Sequence, residues 1–158
     1  AQAGAEHVTA VDISKDAVEL TRRNAALNGL SDKVEVRQAD VFDLLTTLAQ
    51  EKKHPYDYII LDPPAFTKSG ATEKNAYRGY KEINLKAMKL LPRGGYLATC
   101  SCSHFMTPNL FCQMLREAAA DAAVSLRQIE DRRQSPDHPI LWGVPETEYL
   151  KFYLFQIV

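Results

Sequence analysis

Tyr56-Asp57-Tyr58-Ile59-Ile60-Leu61-Asp62-Pro63-Pro64-Ala65-Phe66 is the stretch that decides how the chain is read. Within it, Tyr58-Ile59-Ile60-Leu61 is short, aromatic and β-branched, which predicts a strand. The unbroken apolar run predicts burial on both faces of a parallel sheet. Asp62 closes that strand. Pro63 and Pro64 lack a backbone N–H and hold φ near the extended value, so the chain leaves the sheet along a fixed path. Asp62 and Phe66 are therefore expected at a carboxyl strand end, the edge at which open α/β sheets bind ligands.

Working outward, two further strands end in acids. Val8-Thr9-Ala10-Val11-Asp12 is followed by Ser14, a good helix N-cap, and by a helix ending near Asn28-Gly29. Val34-Glu35-Val36 alternates as a strand and runs into Ala39-Asp40-Val41-Phe42, after which Leu44, Leu45 and Leu48 supply a helical face. On the other side, residues 67–80 show no clean period and hold Lys68, Lys74 and Arg78, so a mobile loop is expected there, leading into a helix through Leu90-Leu91. Pro92-Arg93-Gly94-Gly95 stops that helix. Tyr96-Leu97-Ala98-Thr99-Cys100 is the next strand, and Pro108 sits where the first turn of another helix begins, running to about Ala123. Residues 124–130 and 149–158 read as closing strands. Residues 134–148, with Pro136, Pro139, Pro145, His138 and Trp142, read as a long structured loop. Strands alternating with helices predict a Rossmann-like α/β fold, a parallel doubly wound sheet with helices on both faces.

Composition narrows the class. At 158 residues and 46% hydrophobic, the chain has enough apolar material for one ordinary core, so one domain is expected. A formal charge of −1 provides no global attraction to nucleic acid, and any such contact must come from a local patch. Lys68, Lys74, Arg78 and Lys81 against Glu73 make one candidate patch for phosphates, with a merely solvated loop as the alternative. No apolar run is long enough to span a bilayer and the opening residues lack the parts of a signal peptide, which points to the cytoplasm. The three cysteines have neither scaffold nor metal-ligand spacing. Free thiols and no metal are expected.

Asp12, Asp40 and Asp62 are expected along one rim of the sheet. Acids there can accept hydrogen bonds from a ribose diol or meet an adenine amino group; each taken alone is as readily a helix N-cap. The Asp62-Pro63-Pro64-Ala65-Phe66 run resembles the catalytic motif of class I S-adenosylmethionine-dependent methyltransferases, although Ala65 separates the prolines from the aromatic residue. The wider pattern adds Arg78-Gly79-Tyr80-Lys81-Glu82-Ile83-Asn84, Ser101-Cys102-Ser103, Asp137-His138-Pro139 and Tyr149-Leu150-Lys151. It resembles the bacterial large-subunit ribosomal RNA cytosine-C5 methyltransferases.

That resemblance implies S-adenosylmethionine as cofactor, ribosomal RNA as partner, Cys102 as nucleophile and Asp62 as the acid that contacts the base. It further implies Asp12, Ile13, Asp40, Val41, Asp62 and Pro63 as cofactor contacts. Pro64, Phe66, Lys68, Arg78, Tyr80, Lys81, His104 and His138 are the candidate substrate contacts, with Phe66 and Phe105 able to stack a flipped base. Cytosine C5 is a poor nucleophile, and adding a thiolate to C6 makes it enamine-like, which is why a cysteine beside an acid suits this chemistry. Cys100 is a rival nucleophile, and Cys112 reads as a buried small hydrophobe. His104 is one candidate for removing the C5 proton. Two other functions remain open: an amino-group methyltransferase using Asp62-Pro63-Pro64, and a non-catalytic interaction module. The family's first strand, its glycine-rich loop and its N-terminal RNA-binding domain have no counterpart here. The expectation is therefore an N-terminally incomplete catalytic domain over residues 1–158, opening with the end of a helix. Its sheet would be completed by a further polypeptide or a second copy, and alone it would bind S-adenosylmethionine weakly.

Overall fold

The computed structural model describes residues 1–51, 54–66 and 73–158, the side chain of Glu73 excepted. The chain forms two compact units, Ala1–Thr47 and Leu48–Val158. In the first, β1 (Val8–Asp12) and β2 (Val34–Gln38) pair in parallel from Val8↔Val34 to Asp12↔Gln38, with α1 (Lys15–Leu27) as the crossover. The start of α1 is encoded locally: the Ser14 side chain accepts from the Ala17 N–H, and Val18 and Ala25 point to the interior. Gly29, at φ +66°, turns the chain out of the helix. Residues 1–7 differ from the expected helix end. They form a turn in which Gly4, at φ +109°, donates to the Ala1 carbonyl at 3.1 Å. Helix α2 (Val41–Gln50) begins at the end of this unit.

The second unit contains β3 (Tyr58–Leu61), α3 (Glu73–Leu90), β4 (Tyr96–Ser101), α4 (Pro108–Ala122), β5 (Leu126–Arg132) and β6 (Lys151–Ile157). Its four strands lie in the order β3-β4-β6-β5. β3 and β4 are parallel, as expected, but β6 runs antiparallel to both β4 and β5, so the sheet is mixed. The physical reason is the connection: β5 reaches β6 through residues 133–150, which hold a short 3-10 turn at Pro145–Thr147 but no crossover helix.

Two further expectations are corrected. β3 is an edge strand of its sheet, with Tyr58 45% and Ile60 67% exposed while Leu61 is buried, rather than a strand covered on both faces. An apolar run alone cannot separate these cases. The expected loop over residues 67–80 is already α3 from Glu73 onward, and its first part lies outside the described residues. Its helical period is real: Ala76, Tyr80, Ile83, Asn84, Ala87 and Met88 are all buried. The polar atoms of Tyr80 and Asn84 hide that stripe from a reading by hydrophobicity.

The core of this unit sits between α3, α4 and the sheet. Tyr80 meets Phe111 edge-on at 5.9 Å, and Phe111 meets Tyr153 of β6 at 6.0 Å. Met114, Leu115 and Ala118 continue the α4 face. β4 is buried from Leu97 to Ser101, as befits a strand with a neighbour on each side. Each such large apolar side chain contributes about 1.5–3 kcal/mol on burial. β4 and the chain just past it are thereby held in fixed positions.

Candidate active site

The parallel pairing of β3 and β4 brings their carboxyl ends together, with Leu61 opposite Thr99. Asp62 follows β3 directly, and Cys102 follows Ser101, the last residue of β4. Electrostatic coupling shows that these groups share one neighbourhood. Burial pushes the Cys100 thiol up to about 11, and the negative charges of Asp62 and Cys102 add to it. The Tyr80 hydroxyl is raised by burial in the first place, with contributions in the same direction from Cys102 and Asp62. Of the two neighbouring thiols, Cys100 is thus 8% exposed and held in its neutral form, whereas Cys102 is half-buried.

The turn around Cys102 is tightly fixed. Ser103 N–H donates to Ser101 Oγ at 3.4 Å, and the Ser103 carbonyl accepts both from the Met106 N–H at 3.2 Å and from Lys151 Nζ at 2.6 Å. Asn84 Oδ1 on α3, Thr99 Oγ1 on β4 and Ser103 Oγ in this turn are buried with no hydrogen-bond partner among the described residues. Unpaired buried acceptors and hydroxyls are uncommon in folded interiors, and here they gather on α3 and at the end of β4.

In the first unit, Asp12 and Asp40 occupy equivalent places. Each is exposed, ends a strand-to-helix junction and uses Oδ1 to accept the backbone N–H two residues on, Ser14 at 2.7 Å and Phe42 at 2.8 Å. Asp40 stands directly before α2 in the place of a cap, whereas the cap of α1 is Ser14 and Asp12 shapes the turn before it. Ile13, beside Asp12, is 67% exposed. Val41 is half-buried at the start of α2.

A family model described as a methyltransferase domain matches residues 1–147. The chain belongs to the methyltransferase domain family. A ribosomal RNA large subunit methyltransferase I from Klebsiella pneumoniae is 40% identical over 156 residues, which is 98% of this chain and 39% of that protein. One of the same name from Salmonella arizonae is 41% identical, again over 98% of this chain, and is spanned to 38%. The chain thus spans about two-fifths of the length of these curated relatives. Among solved structures, SMU.776, described as a methyltransferase and solved in complex with SAH, superimposes with a TM-score of 0.81 at 20% identity, covering 97% of this chain and 40% of that one. That likeness shows the fold, the Rossmann-like class I methyltransferase architecture.

Within this methyltransferase domain the remaining expected residues fall into three groups. Pro63, Pro64 and Phe66 follow Asp62, and the half-buried Phe66 ring stands edge-on to Tyr80 at 4.7 Å. Tyr80 itself is 0% exposed, so it supports Phe66 from behind rather than presenting a surface to substrate. Lys81 reaches across to α4, with Nζ 2.9 Å from Asp121 and 3.4 Å from Glu117, and so ties α3 to α4. Lys74, Tyr77 and Arg78 line an open groove with Leu110, Gln113 and Glu117, so one carboxylate of α4 shares the groove with those cations. The sequence around Lys68 gave no view of α4; Lys68 lies outside the described residues.

His104 is exposed beyond Cys102, its ring edge-on to Phe105 at 5.8 Å. His138 is exposed in the loop after β5, with Nδ1 3.0 Å from the Tyr149 hydroxyl and Nε2 3.8 Å from Asp137. Cys112 differs from its expected role as a buried hydrophobe: it is half-buried and lies 3.2 Å from the Tyr153 hydroxyl. Sequence reading gave no role to Lys151, which is 7% exposed beside Cys102. A lysine opening an apolar strand ordinarily marks a solvated end, so the sequence carried no signal for its burial. Among the described residues no helix is long and apolar enough to cross a membrane.

Proposed function

We propose that this domain methylates C5 of a cytosine in large-subunit ribosomal RNA through a covalent adduct on Cys102. The observation that carries the reading is the convergence of Cys102 and Asp62 at the carboxyl ends of the adjacent parallel strands β4 and β3. The names of the curated relatives support the substrate class. S-adenosylmethionine would supply the methyl group as a sulfonium; the family resemblance assigns to it Asp12, Ile13, Asp40 and Val41 in the first unit and Asp62 and Pro63 in the second. The Cys102 sulfur bonds to C6, and the C5=C6 electron pair becomes available at C5 while Asp62 shares a proton with N3 to offset the charge. C5 takes the methyl group as the donor's sulfur–methyl bond breaks to leave a neutral thioether. Loss of the C5 proton to a base then restores the double bond, the sulfur departs and the proton on N3 returns to Asp62.

Pro64 and Phe66 are assigned to the target base, with Tyr80 behind them, and Arg78, His104 and His138 to the surrounding RNA. The test is trapping. RNA carrying 5-fluorocytosine has no C5 proton to lose, so the protein incubated with it and S-adenosylmethionine should form an adduct that survives denaturation. Cys102→Ala should abolish the adduct and Cys100→Ala should retain it. Methyl transfer without an adduct, or transfer to the exocyclic amine, would select the amino-group chemistry instead.

A further inference from the structure

β6 alternates strictly between interior and surface, and its inward positions are Lys151, Tyr153, Phe155 and Ile157. A lysine in that register places an ammonium where the other inward positions hold apolar groups. Lysine is almost never fully buried without a partner, and no carboxylate lies within ion-pair distance of Lys151 among the described residues. What it has instead is two backbone carbonyls. Nζ donates to Ser103 O at 2.6 Å and to Tyr149 O at 2.7 Å, so it joins the turn after β4 to the approach to β6. An ammonium has three donors, and carbonyls take up two of them. The group that faces it electrostatically is Cys102, whose negative charge favours the protonated lysine.

We propose that Lys151 is the positioning residue for the Cys102 thiolate: its buried ammonium fixes the Ser101-Cys102-Ser103 turn and supplies the counter-charge as the thiolate forms. This rests on the reading of Cys102 as the nucleophile, yet it concerns the thiol itself. The other titratable groups facing this pair act in other directions. Asp62, after β3, disfavours a second negative charge; Cys100 on β4 and Tyr80 on α3 are held neutral, by burial in the first place. On β6, Tyr153 is paired with Cys112 of α4, and β5 places Asp131 and Arg132 beside Tyr153 and Phe152. Lys151 is the cation among the described groups that both touches the turn and meets the Cys102 charge.

The thiol can be read without RNA or S-adenosylmethionine, which separates failure here from failure of the cytosine reading. Iodoacetamide alkylation of Cys102 is followed across pH by peptide mass spectrometry in the unmodified protein, Lys151→Gln and Lys151→Arg. Glutamine retains amide donors for the two carbonyls without the charge. An opposite charge at close range moves a titration by about one to three pH units. Lys151→Gln is therefore expected to raise the alkylation midpoint of Cys102 by at least about one unit, with about a tenfold slower reaction on the acid side of the midpoint. Lys151→Arg should keep most of the original profile. A folded Lys151→Gln protein with an unshifted midpoint overturns the proposal. Should Lys151→Gln fail to fold, Lys151→Arg decides: a midpoint raised as it would be by loss of the charge overturns it, and a retained midpoint supports it.

Discussion

The buried ammonium of Lys151 makes a prediction about stability against pH. Burial pushes its pKa from 10.5 down to about 8. Below about pH 8 the folded and unfolded chains both hold the proton, and the burial penalty is constant. Between about 8 and 10.5 the unfolded chain still holds it while the folded chain has released it, so unfolding takes up a proton and rising pH opposes unfolding. At about 1.4 kcal/mol per pH unit the relief amounts to about 3 kcal/mol across that window. With Lys151 only 7% exposed, solvent screening removes little of it.

Cys100 acts in the opposite direction. Its thiol is raised from 9.0 to about 11, so between those values the unfolded chain has lost a proton that the folded chain keeps, and stability falls as pH rises. The two slopes oppose each other only where their windows overlap, between about 9 and 10.5; between about 8 and 9 the Lys151 slope stands alone, and above 9 a difference measurement separates the two. Urea unfolding at pH 7, 8, 9 and 10 of the unmodified protein and Lys151→Gln should show the unmodified protein gaining about 3 kcal/mol relative to the variant by the upper end of the range. With a urea dependence of about 1–3 kcal/mol per molar, that is a relative midpoint change of about 1–3 M. In a Cys100→Ala background the rise should continue to pH 10 instead of levelling off above about pH 9. A difference between the two proteins that stays flat from pH 7 to 10 would show that Lys151 ionises in solution as an exposed lysine does. The bond to the Ser103 carbonyl would then not hold it in place.

Two further predictions concern the frame that presents the site. A Cβ on Gly95 would stand 3.0 Å from the Pro92 carbonyl oxygen and 3.2 Å from that of Asp57, where Tyr96 N–H bonds to Asp57 O at 2.8 Å to start the β3–β4 ladder. Gly95→Ala should therefore destabilise the fold by about 1–3 kcal/mol, read as a lowered urea midpoint, and an unchanged midpoint would mean that the turn opens freely. Ala123 ends α4 in the left-handed region at φ 56°, ψ 40°. Ala123→Gly should raise stability by about 1 kcal/mol, read as a higher melting temperature, and a lower one would place the helix end elsewhere.

What the sequence reveals of this domain follows from how local each determinant is. Ser14, Gly29, Pro108 and the Pro92-Arg93-Gly94-Gly95 stop act within a few residues, and the elements they bound stand where the sequence places them. Asp62 and Cys102 were legible for a related reason, since each follows a strand whose apolar run can be read directly, and their meeting needs only that β3 and β4 be parallel neighbours. The rest depends on partners distant in sequence. Nothing near Lys81 announces Asp121, and nothing near Tyr80 announces Phe111 beside it on a second helix. β6 reverses against β4 because residues 133–150 return without a helix, a property of a long proline-containing loop with no local period. Lys151 was hidden by the same non-locality. In sequence it is a cation before an apolar strand, the usual mark of a solvated strand end; only the pairing of Ser101 with Lys151 across β4 and β6 turns it inward, onto the turn that holds the thiol.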